Sequence, residues 1–311
     1  MAAQEYSAAG IAVPATETET VAAGRPSGGG RRLPVAWVGA VPFLAYVFIF
    51  LLLPTVVVVI GACAKHGGGA TLSNIDLMRQ DYIVQSFKNS LELSFVSAFI
   101  GAVVGAALAY AIATGNPNGV LRRTMTSACG VLAQFGGVTL TFAFLATIGP
   151  VGLVTNFLHN HGIDIYSNGY WIYDLPGLIL LYTYFQIPLM VLVFLPALDG
   201  IRPQWREATA SLGGTTWHYW RHVAAPLLLP AFLGSALLLF ANSFSAYATA
   251  AALINQGGII VPLQISNTLT SEVNLGQENF AKALALGMVV IVAVVMTLYV
   301  VLQRRTARWL R

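Results

Sequence analysis

Long apolar stretches alternate with short polar segments along the chain after residue 34. A helix needs about 20 mainly apolar residues to cross the hydrocarbon core of a bilayer, and six stretches reach this length. Several contain proline or glycine, which membrane helices tolerate because neighbouring helices and hydroxyl side chains bond the freed backbone groups. The pattern therefore predicts an all-α membrane protein with six transmembrane helices. The predicted spans are Val35–Ala64, Ser86–Thr114, Thr124–Ile148, Leu175–Leu198, Leu227–Ile254 and Ala281–Leu302.

The composition agrees with this fold class. Of the 311 residues, 57% are hydrophobic and 9% are charged, whereas a soluble domain carries about 25% charged residues. The arginines lie beside apolar runs, where they set topology, so the net charge of +4 indicates membrane lipid and no nucleic acid as a partner. Cys63 and Cys129 lie within or at the end of apolar runs. They predict buried free thiols, with neither a disulfide framework nor a metal site.

Residues 1–34 form a segment of a different kind. They are rich in Ala, Gly, Thr, Pro and Glu and end in Gly28-Gly29-Gly30-Arg31-Arg32. Such a segment buries too little apolar surface to offset the entropy of ordering, so we expect a disordered cytoplasmic tail followed by a transmembrane domain over 35–311. The next apolar run is long and lacks a small-residue cleavage pattern, which argues against a signal peptide.

The basic residues divide unevenly between alternate loops and predict the orientation. Twelve Lys and Arg residues occur in the N-terminal segment, the second and fourth loops and the C-terminal segment, against four towards the other side of the membrane. Cytoplasmic loops are enriched in Lys and Arg. Both termini and the loop at about 199–226 are therefore predicted to be cytoplasmic.

This fourth loop carries a helical pattern of its own. Trp205, Ala208, Thr209 and Leu212 fall at i, i+3, i+4 and i+7, the spacing of one helix face. Gly213-Gly214 then supplies a left-handed stop. The first helix has fewer than about a dozen residues and needs packing to be stable.

A second short helix is predicted after the glycine turn. Thr215 or Thr216 can cap it, and Pro226 is expected to end it before the chain re-enters the membrane. The pattern alone leaves two interpretations open: a solvated connector lying on the membrane surface, or a short helix on which a cytoplasmic partner docks.

The same loop resembles a known motif. Glu207-Ala208, Gly213, Val223 and Pro226 match the E-A-A, three residues, G, nine residues, I-x-L-P loop of permease subunits of ATP-binding-cassette importers. Thr209 replaces the second alanine of that motif and Ala225 replaces its leucine.

The resemblance is to importers of type I and implies a set of partners. In that family the short helix docks in a cleft of an ATPase subunit, the helix-in-groove mode of recognition. Two permease subunits, identical or different, pair in the bacterial cytoplasmic membrane, two ATPase subunits dock from the cytoplasm, and an extracytoplasmic solute-binding protein delivers substrate. The residues implied in ATPase coupling are Trp205, Glu207, Ala208, Leu212, Gly213, Val223 and Pro226.

The energy source is not predicted to lie in this chain. A phosphate-binding loop needs Gly-Lys followed by Ser or Thr, and Lys65, Lys88 and Lys282 are followed by His, Asn and Ala. We therefore expect a transport subunit that is not itself an enzyme, with ATP and Mg²⁺ bound by a partner ATPase.

Polar residues within the spans are candidates for a transport pathway. Asn89 and Glu92 have the spacing of a capping box, so Glu92 has a structural interpretation beside a role in substrate contact. Asn242, Ser245 and Thr249 fall on one helical stripe near Tyr247. They are either interhelical hydrogen-bonding residues or part of the pathway. Weaker candidates are Gln134 and Gln186.

The substrate is predicted by resemblance alone. The Asn242–Tyr247 and Asn89–Leu91 segments resemble the family branch that handles polyamines, ferric iron and aminoethylphosphonate, and polyamine transport of spermidine or putrescine is favoured. The alternative function is a secondary transporter or channel for a small solute. That class usually needs relay carboxylates or a charged filter in mid-span, and a membrane-embedded enzyme would need a nucleophile or metal constellation. The spans show none of these.

Overall fold

The computed structural model describes residues 35–64, 69, 73–116, 118–167, 169–254, 259–270 and 278–307. The predicted tail over 1–34 lies outside these residues. The chain divides into two units, Met1–Leu51 and Leu52–Arg311. In the first unit the described part is helix α1, Val35–Val47, followed by most of a π-helical turn, Phe48–Leu52.

In its described residues the second unit consists of helices joined by turns and loops. Its helices are α2 Leu53–Ala62, α3 Ser73–Asp76, α4 Asp81–Ala113, α5 Val120–Gln134, α6 Gly137–Ile148, α7 Leu153–Asn160, α8 Leu175–Asp199, α9 Pro203–Ser211, α10 Thr216–Tyr219, α11 Ala225–Ser245, α12 Ala248–Leu253, α13 Val261–Thr270 and α14 Glu278–Ala307. Short 3₁₀ turns cover Leu77–Arg79 and Trp171–Tyr173, and a π-helical turn covers Trp220–Ala224.

Six helical stretches in the described part are long and apolar enough to cross a membrane, so the predicted fold class is confirmed as all-helical with six candidate spans. The chain is a multi-pass membrane protein. The stretches are Val41–Ala62, Asp81–Ala113, Gly137–Asn160, Leu175–Asp199, Thr216–Ser245 and Glu278–Val301.

The core lies between α4, α8 and α11. Helix α8 is the most deeply buried, with Leu181, Tyr182, Met190 and Val191 fully covered. It packs closely along α4, where a Cβ added at Gly105 would lie 2.5 Å from the Met190 Cβ. The absence of a side chain there brings the two backbones together, as in other small-residue contacts of membrane helices.

The third predicted span, Thr124–Ile148, is wrong as a continuous helix. Helix α5 ends at Gln134 and α6 begins at Gly137, whose φ of +67° lies in the left-handed region that favours glycine. In a continuous helix the Gly137 N–H would bond the Ala133 carbonyl. Here it donates to the Thr249 hydroxyl at 2.9 Å, and the candidate span runs from Gly137 to Asn160.

The fifth predicted span, Leu227–Ile254, is also interrupted. Helix α11 ends at Ser245 and α12 begins at Ala248. The carbonyl of Ala246 accepts a hydrogen bond from the Tyr182 hydroxyl at 2.7 Å, so a side chain replaces the helical N–H donor. This bond across to α8 stabilises the break.

Two predicted helix ends are wrong as well. Pro226 does not end a helix: it lies in the first turn of α11, where a missing N–H costs little, and helical turns are continuous from Thr216 to Ser245. Asn89 is not a cap, because α4 begins eight residues earlier at Asp81. Its side-chain amide donates to the Ile259 carbonyl at 3.0 Å, which ties α4 to the segment before α13.

Candidate functional site

The loop between the fourth and fifth spans folds into the predicted helix, glycine turn and second helix. Pro203 starts α9 in its first turn, where proline is well tolerated. At the other end Gly213 adopts φ +77°, and its N–H donates to the Ala210 carbonyl at 3.0 Å. The next N–H, from Gly214, donates to the Thr209 carbonyl at 2.9 Å. These bonds close the C-terminal end of α9 and turn the chain into α10.

The surface of α9 is largely uncovered. Glu207 and Ala208 are exposed, and Trp205 is half-buried. The predicted four-residue face is wrong at its last member, since α9 ends at Ser211 and Leu212 lies beyond it with 89% of its surface exposed. Trp217 on α10, which the sequence interpretation left out of the site, is 68% exposed. Both large apolar side chains are available for a contact outside this chain.

The second helix of the loop is joined directly to a membrane span. Thr215 caps α10 by accepting the His218 N–H. The π-helical turn then carries the half-buried Val223 into α11. The ring of Trp220 packs edge-on against Tyr110 of α4, with ring centroids 5.3 Å apart. The α9–α10 pair is therefore connected both to the fifth span and to the end of the second.

The two interrupted spans meet at their breaks, at the far end of α11. Thr249, on α12, is buried and bonds α6 twice: its hydroxyl accepts the Gly137 N–H, and its carbonyl accepts the Thr141 hydroxyl at 3.1 Å. We call this arrangement of residues 135–141 and 246–249 the paired break. Helix α11 has 21 residues, so the paired break lies about 30 Å from the start of α11 at Ala225, roughly one hydrocarbon thickness away.

Tyr247 lies at the paired break and lines a cavity of about 490 Å³ between α6, α12 and the 3₁₀ turn at Trp171–Tyr173. Its hydroxyl shares a hydrogen bond of 2.9 Å with the Ser266 hydroxyl of α13. Of the predicted pathway residues, Tyr247 is the one found on this cavity.

The predicted stripe of Asn242, Ser245 and Thr249 does not form, because the break separates Thr249 from the other two. Asn242 and Ser245 are exposed, and the Ser245 hydroxyl bonds carbonyls of its own helix. The buried polar residue of that turn is Ser243, which bonds Ser97 of α4 at 2.8 Å. Ser243 is not among the predicted pathway residues, and the regular spacing of serines on α4 was the available signal.

The remaining candidates occupy three different environments. Gln186 is fully buried and donates to the Leu239 carbonyl at 2.7 Å, while its own Oε1 has no partner among the described groups. Gln134 is exposed at the end of α5, beside the paired break. Glu92 is exposed on α4 and lines a separate, mainly apolar groove of about 1020 Å³ between α4, α11 and α14. Tyr247 and Thr249 therefore lie in the paired break with Gln134 beside it, whereas Glu92 lies on a separate groove.

Comparison with known proteins gives a family match over the C-terminal part of the chain. Residues 165–311 match the family model described as the binding-protein-dependent transport system inner membrane component. The match covers just under half of the chain. The matched segment contains the α9–α10 pair, helices α11 and α12 of the paired break, and the last three candidate spans. The predicted resemblance to permeases of ATP-binding-cassette importers is thereby confirmed.

Curated relatives carry the same type of name. The chain is 26% identical over 128 residues to the thiamine transport system permease protein ThiP of Escherichia coli (strain K12), covering 41% of this chain and 23% of that protein. It is 26% identical over 204 residues to the ferric transport system permease protein FbpB of Actinobacillus pleuropneumoniae, covering 64% and 28%. The chain thus spans about a quarter of the length of these relatives.

Solved structures share the fold. A bacterial ABC transporter involved in the import of the acidic polysaccharide alginate matches with a TM-score of 0.69 at 17% identity, over 87% of this chain and 95% of that one. The MetNI methionine ABC transporter in an inward-facing conformation matches with a TM-score of 0.53 at 17% identity, over 72% and 96%. The helical arrangement described above is therefore a fold found in solved ABC transporters.

Proposed function

We propose that this chain is the membrane-spanning permease subunit of an ATP-driven solute importer, in which it forms part of the translocation pathway and couples to a separate ATPase. The observation that carries the proposal is the α9–α10 pair within the family-matched segment. It presents Glu207 and Ala208 on α9, Leu212 in the turn and Trp217 on α10, all exposed, and α9 is too short to be stable without packing.

The geometry supplies a route for coupling. A displacement of α9 passes through the closed turn at Gly213 to α10 and along the continuous helix from Thr216 to Ser245. Its far end is the paired break, where short helices meet through Thr249 and can change angle without unfolding a regular helix. Docking on one side of the membrane is thereby linked to a cavity on the other. In this scheme, alternating access depends on a change of helix angle at the paired break.

The proposed assembly follows from the resemblance and the charge pattern. Both termini and the α9–α10 pair face the cytoplasm, where two ATPase subunits bind ATP and Mg²⁺. A second permease subunit, identical or different, completes the pathway. An extracytoplasmic solute-binding protein delivers substrate, and the alginate relative is named in complex with a periplasmic protein that holds a pentasaccharide.

Spermidine or putrescine is the proposed substrate, on the sequence resemblance to the polyamine branch. The relatives are named for thiamine, ferric iron and molybdenum, so they support import by this kind of permease without selecting polyamines. A secondary transporter or channel is not favoured. The family match includes the α9–α10 loop, and a protein of that class would not need a docking loop for an ATPase.

The test is to express the chain with the ATPase and solute-binding protein encoded beside it and to purify the complex through this chain. Glu207→Ala should lower recovery of the ATPase and substrate-stimulated ATP hydrolysis at least about tenfold, and Gly213→Pro should do the same by opening the turn. The control is Gln204→Ala, which changes an exposed residue of the same helix. Membrane insertion should be unchanged in all three variants. Full ATPase recovery with both coupling variants would refute the docking assignment.

A further inference from the structure

The cavity at the paired break has the size of a small-molecule site. Its volume of about 490 Å³ lies within the range of about 300–1,000 Å³ usual for ligand pockets. It lies on the opposite side of the span from the α9–α10 pair, where an importer first receives its substrate. On the α12 side the cavity is bordered by the small side chains of Ala248, Ala251 and Ala252, which leave its volume open.

Three aromatic rings from three separate elements line this cavity. They are Phe142 of α6, Tyr173 of the 3₁₀ turn and Tyr247 at the break. Their exposed fractions are 62%, 38% and 43%, so each ring has free surface that its own chain does not cover. Ring faces carry the negative end of the aromatic quadrupole and attract cations.

The rest of the lining decides between ligand classes. No Asp, Glu, His or Cys is among the described lining residues, so a metal ion would find none of its usual side-chain ligands. No Lys or Arg lines the cavity either, so an oxyanion would find no cationic side chain. The remaining favourable electrostatic features are the ring faces and the tyrosine hydroxyls.

Helix ends do not reverse this preference. The C-terminal end of α11 and the N-terminal end of the six-residue α12 meet at the break, so their partial charges oppose each other. The first N–H of α6, at Gly137, is already bonded to Thr249. The break therefore offers little net positive field for an anion.

We infer that this cavity binds a small organic cation through the faces of Phe142, Tyr173 and Tyr247. The inference rests on the proposed import function and deepens it: the substrate class is an amine or aromatic cation, recognised by cation–π contact and not by a carboxylate cage. Both the polyamines and the thiazolium of thiamine belong to this class.

The experiment measures binding to the full chain in nanodiscs by equilibrium dialysis, with radiolabelled spermidine and thiamine as cation probes and molybdate as an anion probe. Phe142→Leu and Tyr173→Leu remove a ring while keeping an apolar side chain of similar size. Each should weaken the binding of at least one cation probe between about 2-fold and 30-fold, the range of cation–π contacts. Tyr247→Phe keeps its ring and should change binding less than twofold.

Phe157→Leu is the matched control, because Phe157 is also 62% exposed but lies on α7, away from the cavity. Unchanged thermal unfolding shows that each variant is folded. The inference is overturned if folded wild-type chain binds neither cation, if molybdate binds more tightly than both, or if the two leucine variants bind as well as wild type. A complex that couples ATP hydrolysis through α9 while failing these binding tests would overturn the cation site and leave the proposed function standing.

Discussion

The α9–α10 pair and the paired break lie at opposite ends of one continuous helix and satisfy their polar groups in opposite ways. In the α9–α10 pair the hydrogen bonds are local: Gly213 and Gly214 bond carbonyls three and five residues back. At the paired break they are long-range, since the partners of Gly137 and Ala246 lie 112 and 64 residues away. A locally closed element can move as a unit, whereas the break holds together separate spans.

This difference predicts different costs for mutation. Mutations at the paired break should reduce the stability of the fold, because a polar group on another span loses its hydrogen-bond partner. Damage on the outside of the α9–α10 pair should leave the fold intact and remove an interaction with another protein. The three predictions below test this division.

The largest effect on stability is expected for Thr249→Val. Valine keeps the volume and the β-branch of threonine but leaves the Gly137 N–H without an acceptor, at a cost of about 1–2 kcal/mol. Thermal unfolding in detergent, followed by circular dichroism, measures the loss. Thr147→Val is the matched control, because Thr147 is exposed and its hydroxyl bonds only carbonyls of its own helix. Equal stability of the two variants would mean that the paired break contributes little to the fold.

A smaller effect, and one on binding alone, is expected for Leu212→Ser. Leu212 is 89% exposed, so the stability of the isolated chain should change by no more than about 0.5 kcal/mol. Affinity for the proposed ATPase partner should fall about tenfold, the equivalent of about 1.4 kcal/mol. The reason is that serine cannot replace the apolar surface that Leu212 would bury in the interface. Surface plasmon resonance with the purified ATPase measures this change.

Gln204→Ser serves as the control on the same helix, since Gln204 is exposed and polar. A large drop in stability with Leu212→Ser would show that the residue packs within this chain after all. Unchanged affinity would instead place the docking contact elsewhere on the loop, with Trp217 as the next residue to change.

The same contrast explains which features the sequence could predict. The six candidate spans and the glycine turn depend on local length, apolarity and the left-handed freedom of Gly213, all of which are visible in a window of residues. The interruptions after Gln134 and Ser245 cannot be seen in such a window, because they are stabilised by Thr249 and Tyr182 from distant parts of the chain. Glycines at 136 and 137 were compatible with a break, but equally with the continuous helices that membranes tolerate.

Asn89 is a case in which a local sequence pattern predicted the wrong contact. Its spacing to Glu92 satisfies the local rule for a cap, yet α4 extends past it and the Asn89 amide bonds Ile259, 170 residues away. Likewise the polar stripe through Asn242 and Thr249 has helical spacing, but the helix on which it depends stops between them. Local patterns of polar residues therefore did not predict the contacts that those residues make.

The smallest effect on stability is expected from removing the hydrogen bond between Tyr247, at the paired break, and Ser266 of α13. Both residues are only partly covered, and interhelical bonds in membrane proteins contribute about 0.6 kcal/mol on average. A double-mutant cycle with Tyr247→Phe, Ser266→Ala and the pair should give a coupling energy of about 0.6 kcal/mol or less in unfolding experiments. A coupling energy above about 1.7 kcal/mol, the largest reported for such bonds, would make this bond a structural tie like that of Thr249.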